Sequence, residues 1–125
     1  MAYNTTDFKG HFVVLQKIIM NILFCYKYRD GANYKQYNEI VFSNPLKKEI
    51  KEIELIIRKK LIDGLWFVAD DWGIPNQFFK EYMWDNEIDH NWHEFDEIKE
   101  TEKKVTEKNT IEDFIVIVHK TKLPW

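Results

Sequence analysis

The run from Leu46 to Leu61 constrains the fold more than any other part of this sequence. Leu46, Ile50, Ile53, Ile57 and Leu61 recur at steps that stack them on one face of an α-helix. Lys47, Lys48, Glu49, Lys51, Glu52, Lys59 and Lys60 fall on the remaining surface. A helix patterned in this way hides its apolar stripe only by packing on another element. Lysines and Arg58 gather in its last turn, where the helix dipole favours positive charge, and Asp63-Gly64 reads as its close.

The element it packs on is legible just upstream. Residues 21–28 (Asn-Ile-Leu-Phe-Cys-Tyr-Lys-Tyr) are dense in β-branched and aromatic side chains and read as a central strand. Asp30-Gly31 signals a turn, and residues 36–43 resume strand character, with Ile40 and Phe42 on one face and Glu39 and Val41 on the other. Asn44-Pro45 ends that hairpin. Downstream, residues 65–69 predict a short strand, 70–75 a loop, 76–91 an ordered aromatic and acidic loop, and 92–101 a further strand, with a helix also open for that last stretch. Residues 100–109 predict a charged, solvated linker. Thr110-Ile111-Glu112-Asp113 then opens a last helix through a capping box, although the β-branched run Phe114–Val118 also fits a strand. Ahead of everything, Asp7 as cap and the stripe Phe8, Phe12, Leu15, Ile19 predict a helix over residues 7–19. The expected architecture is α+β: a small antiparallel sheet with a central packed helix, an appended N-terminal helix over residues 1–19 and a C-terminal helix. Residues 20–125 form its one domain.

Composition narrows the function classes. The 125 residues suit one domain, and 45% hydrophobic with 31% charged residues is the balance of a folded chain. A net charge of -3 argues against a dedicated DNA or RNA binder, which needs a basic surface. Cys25 is the one cysteine, so an internal disulfide is excluded. The longest apolar stretch, residues 11–26, is broken by Gln16, Lys17 and Asn21 and falls short of the roughly 20 residues that span a bilayer. With no basic leader read at the N-terminus, the expectation is a cytoplasmic protein without a membrane partner. Aromatic residues reach 16%, more than one small core needs, which points to a ring-lined pocket or an interface. That surplus, with the apolar stripe of residues 7–19, predicts a homo-oligomer joined through Phe8, Phe12, Leu15 or the belt of aromatic residues between Trp66 and Trp92.

Three constellations carry possible chemistry. In Asp89-His90-Asn91-Trp92-His93-Glu94, two histidines and carboxylates are zinc-ligand types, but on a strand His90 and His93 point to opposite faces. The plainer reading is a loop fixed by its own hydrogen bonds, and no metal is expected. The hairpin tip gathers Arg29, Asn33, Tyr34 and Lys35, a set suited to a phosphate and a base, or simply to a polar turn. The aromatic belt Trp66, Phe67, Trp72, Phe78, Phe79, Tyr82, Trp84 and Trp92 fits core, stacking pocket or interface equally. No glycine-rich phosphate loop or serine nucleophile elbow is present, so no catalytic residues and no cofactor are expected.

The blocks Tyr28-Arg29-Asp30-Gly31-Ala32-Asn33-Tyr34-Lys35, Leu61-Ile62-Asp63-Gly64-Leu65-Trp66-Phe67, Trp72-Gly73-Ile74-Pro75 and Asp89–Phe95 resemble those of small bacterial and phage proteins. With the size and acidic charge, they are similar to the phage Thoeris anti-defence sponges. That resemblance implies an oligomer that sequesters a cyclic ADP-ribose-type immune signal without turning it over. It carries over no ligand residues. From the residues themselves, the expected ligand contacts are Arg29, Asn33, Tyr34, Lys35, Arg58, Phe78, Phe79, Tyr82, Asn91 and Trp92. The alternatives are a protein–protein inhibitor of the immunity-protein kind, or a metal-assisted hydrolase using His90 and His93.

Overall fold

The computed structural model describes residues 20–77 and 91–123, together with the backbone of residues 5–6 and 12–13. In chain order its elements are β1 (Thr5–Thr6), β2 (Phe12–Val13), β3 (Asn21–Arg29), β4 (Lys35–Phe42), α1 (Ile50–Arg58), β5 (Trp66–Val68), β6 (Trp92–Thr101) and α2 (Ile111–Lys120). Four strands form an antiparallel sheet in the order β4-β3-β6-β5, with β3 and β6 in the middle. The mixed α+β class and the strand at 92–101 are as the pattern predicts. The helix expected over 7–19 is not what Phe12 and Val13 adopt: they pair with Thr6 and Thr5 as antiparallel strand. Backbone pairing between threonines and β-branched or aromatic neighbours competes there with the helical stripe. The rest of that segment lies outside the described residues.

One face of the sheet, the inner one, carries the core. Along β3, Ile22, Phe24, Tyr26 and Tyr28 alternate inward and are buried, matched on β4 by Ile40 and Phe42. The two helices cover this face. α1 contributes Ile53 and Ile57, and α2 contributes Ile111, Phe114, Ile115 and Val118 at helical spacing. Phe24 sits at the centre, with the rings of Tyr26, Phe67, Trp72, Phe95 and Phe114 at 5.4–6.3 Å between centroids. Phe67 and Trp72 stack at 4.4 Å, and Phe42 and Phe114 at 4.5 Å. Edge-on and offset ring packing of this kind adds to simple area burial.

Local chemistry sets the element ends. α1 begins at Ile50 rather than at Lys47, and Leu46, expected in the buried stripe, is 70% exposed. Asn44, itself buried, explains the delay: its side chain accepts from the Lys48 N–H and donates to the Lys48 carbonyl, each at 3.0 Å. The turn so clamped holds Lys47 at a φ of 53°, which a helix does not tolerate. Asp63 and Gly64, at φ 50° and 72°, belong to a tight reversal in which Leu65 N–H donates to the Ile62 carbonyl, and Ile62 bridges Trp66. They shape a primed turn into β5 rather than closing α1. At α2 the capping box is complete: Thr110 Oγ1 accepts from Asp113 N–H, and the Asp113 carboxylate accepts from Thr110 N–H.

The stretch after β6 is charged but not merely solvated. The Asn21 side chain donates to the Lys103 carbonyl, and Lys103 pairs with Glu39. Thr106 then satisfies the outward edge of β4, donating its N–H to Val41 O and accepting the Val41 N–H at its hydroxyl. Leu23 and Val41, on the outer face beside this crossing, are buried.

Candidate functional site

The outer face of the sheet holds the polar chemistry. Alternation puts Lys27 and Arg29 of β3, Glu94 and Trp92 of β6, and Trp66 of β5 on this side. Glu94 is only 6% exposed and is the anchor. Arg29 grips it through Nε at 2.7 Å and Nη2 at 3.2 Å, the two-pronged geometry that suits guanidinium and carboxylate. Lys27 Nζ stands 3.6 Å from the same carboxylate and also pairs with Asp96. The Arg29 hydrogen bond first, then the positive charges of Arg29 and Lys27, hold the Glu94 carboxyl below the usual carboxylate range despite its burial. Against this ion pair lies an open depression of about 510 Å³ lined by Arg29, Leu65, Trp66, Trp92 and Glu94. Trp66 and Trp92 are half-buried along it, their rings tilted at 5.6 Å between centroids.

A second polar cluster points inward. His93 is fully buried beneath Tyr28, Tyr26 and Phe67, with centroids 5.2–5.9 Å away, and its Nε2 accepts the Gln77 N–H at 2.8 Å. The Tyr26 hydroxyl donates to the Pro75 carbonyl and accepts from Asn38 Nδ2 at 3.1 Å. Burial pushes that phenol up to about 12, so it stays protonated. These bonds tie the 75–77 segment to the sheet. The plainer reading of the histidine block, a loop closed by bonds among its own residues, is not the arrangement at His93, which lies on β6 and bonds the Gln77 backbone.

The residues singled out from the sequence separate into distinct places. Arg29 and Asn33 meet, Asn33 Oδ1 accepting from Arg29 Nη1, and Asn33 takes the left-handed conformation at φ 71°. Asp30 rather than Gly31 closes this tip, its Oδ1 accepting from the Ala32 and Tyr34 N–H groups. Tyr34 and Lys35 are exposed beside it. Arg58 is elsewhere: it pairs with Glu54 at 2.7 Å and lies over the Phe95 ring at 5.1 Å, on the helical side of the sheet. Arg29 and Arg58 are therefore divided by the sheet and do not converge on one ligand within a chain. The belt divides too, Phe67 and Trp72 entering the core and Trp66 and Trp92 facing outward. Asn91 is exposed next to Trp92, while Phe78, Phe79, Tyr82, Trp84 and His90 lie outside the described residues. Among the described residues no three His, Cys, Asp or Glu side chains gather as a metal site.

Sequence reasoning missed Glu94 and Lys27 as site residues. Alternation along β6 would have put Glu94 on the same face as Trp92, but its cross-strand partners depend on register. A bulge at Asp96 sets that register: Glu97 faces Cys25 and Phe95 faces Tyr26, leaving Asp96 as the extra residue. Cys25 lies on this face too, and burial first, then Glu97 and Glu39, push its thiol up.

Comparison with family models, with curated proteins and with solved structures gave no match for this chain. No described helix is long and apolar enough to cross a membrane.

Proposed function

We propose that the chain is a non-catalytic binding protein that captures a nucleotide-derived ligand of the cyclic ADP-ribose type on the outer face of its sheet. The observation behind this reading is the depression in which two outward tryptophans adjoin the Arg29–Glu94 pair. Tryptophan faces take up a heteroaromatic base by stacking, without regard to its hydrogen-bond edges. Arg29, one-third exposed and fixed by Glu94, presents its remaining N–H groups at the rim for a phosphate or ribose oxygen. Charge balance suits capture of such a ligand: Lys27 and Arg29 are offset by Glu94 and Asp96, so the site has no excess positive charge for a long polyanion. Binding needs only this complementarity and desolvation, with no group activated for chemistry.

The experiment is mass spectrometry of small molecules released by heat from protein purified out of cells that make cyclic ADP-ribose signals. A nucleotide released unaltered is the expected result. A converted product would make the protein an enzyme, and an empty protein would favour the protein–protein inhibitor.

A further inference from the structure

We infer that the free edge of β4 is a self-pairing surface, and that two copies of the chain join there about a two-fold axis through Tyr37, Lys35 of each facing Glu39 of the other. This inference is independent of the ligand reading.

β4 is an outer strand of the sheet, and its edge is divided into two stretches. At Val41 the outward N–H and carbonyl are taken by Thr106, and the carbonyl also accepts the Glu107 N–H at 3.2 Å. In an antiparallel pair the backbone groups of alternate residues point away from the partner strand. Glu39, Tyr37 and Lys35 share the parity of Val41, so their N–H and carbonyl groups also point outward. Among the described residues none of these is bonded on that side. Their side chains stand on the outer face and are exposed, Tyr37 by 65%. An edge with open backbone groups is a template for another strand.

The sequence on this edge decides which strand. Antiparallel pairing with a copy of itself has few registers, because Val41 is already occupied. Centred on Lys35 or on Glu39, the pairing sets like charges against each other. Centred on Tyr37, it sets Lys35 against Glu39 at both ends and the two phenol rings together in the middle, and it uses all three open residues. Directly opposed charges of opposite sign favour a pairing and like charges oppose it. Glu39 can serve both neighbours: its Oε1 takes Lys103, and Oε2 has no partner among the described residues. On the other face the same register lines Gln36 against Asn38, two amides. A closed, isologous dimer results, its two sheets continuous and their outer faces on one side.

The test uses the full chain in analytical ultracentrifugation at low salt, with Lys35→Glu and Glu39→Lys made separately. The wild type should sediment as twice 15.3 kDa. Each variant alone places like charges in register and should weaken self-association at least tenfold. An equal mixture of the two should nevertheless restore a dimer, since the carboxylate introduced at position 35 of one chain then meets the ammonium introduced at position 39 of the other. Tyr37→Pro, which removes an outward N–H together with the phenol ring at the two-fold centre and its contact with Lys27, should also yield monomer, with circular dichroism checking that the sheet persists. A monomeric wild type would overturn the inference. So would a dimer insensitive to these substitutions, or a mixture that stays monomeric.

Discussion

The two faces of one sheet have been put to different uses. The inner face is closed by rings and isoleucines: Phe24, Tyr26, Phe67, Phe95 and Trp72 meet Ile53, Ile57, Phe114 and Val118 with almost no exposure. The outer face, built from the same strands, carries a buried carboxylate, two cations, two half-buried tryptophans and an exposed tyrosine edge. Alternation makes this possible, since each strand residue serves one side only. The inner face accounts for the existence of the fold. The outer face, relieved of that task, keeps polar groups at the surface where a ligand or a second chain can reach them.

Substitutions can break this division, and the largest effect belongs inside. Phe24→Ala should destabilise by about 3–5 kcal/mol and Ile53→Ala by about 2–5, because neither cavity can collapse among rings held on every side. Chemical denaturation checks both, and a loss under about 1 kcal/mol at Phe24 would mean that the inner face is not the core. On the outer face, Glu94→Ala should cost about 1–3 kcal/mol, leaving Lys27 and Arg29 without their shared acceptor. Because the folded Glu94 carboxyl lies below its ordinary value, its contribution is present above the unfolded carboxylate range and is lost as pH falls through the lowered folded value. The variant should therefore lose less stability than the wild type between neutral and strongly acid pH, as melting curves across that range would reveal. Equal acid sensitivity would contradict the assignment.

Smaller effects sharpen the boundary between the faces. Thr106→Val removes the hydroxyl that accepts the Val41 N–H and should cost about 1 kcal/mol in denaturant titration, with faster hydrogen exchange at Val41. Unchanged exchange there would show that the crossing segment does not protect this edge. At the far end of the scale, Lys99→Ala breaks only an ion pair with Glu97 in which both side chains are 55% exposed, and should move stability by less than about 0.5 kcal/mol.

Much of the inner face was legible in the sequence, and little of the outer. Ile53, Ile57 and Leu61 follow from the 3.6-residue period, and β3 and β4 from their aromatic and β-branched runs, whereas the charged sequence of β6 fits a helix as well as a strand. Thr110 and Asp113 announced α2 against its β-branched content, because a capping box fixes the first turn whatever follows it. Leu46 misled, since its spacing fits the stripe while the Asn44 clamp, a hydrogen-bond pattern without periodicity, delays the helix. Outside, Arg29 was recognised as a candidate but its partner was not. Glu94 stands 65 residues away, and register across a bulge cannot be read from one strand alone. Arg58, equally basic in sequence, faces Phe95 on the other side, because it belongs to α1 and that helix packs on the inner face. The structure also makes Arg29→Ala an unclean probe of binding, because it strips Glu94 of its hydrogen bonds.

The binding claim is tested most directly at Trp92, with isothermal titration calorimetry of cyclic ADP-ribose isomers against the wild type and Trp92→Val. Valine keeps the strand preference of β6 while deleting the stacking face. Loss of a stacked ring is worth about 1–3 kcal/mol, so affinity should fall at least about tenfold. The inner face is untouched, and the melting temperature of the free protein should shift far less than in Phe24→Ala. Wild-type protein that binds none of these ligands, or a Trp92→Val variant that binds them with full affinity, would contradict the account.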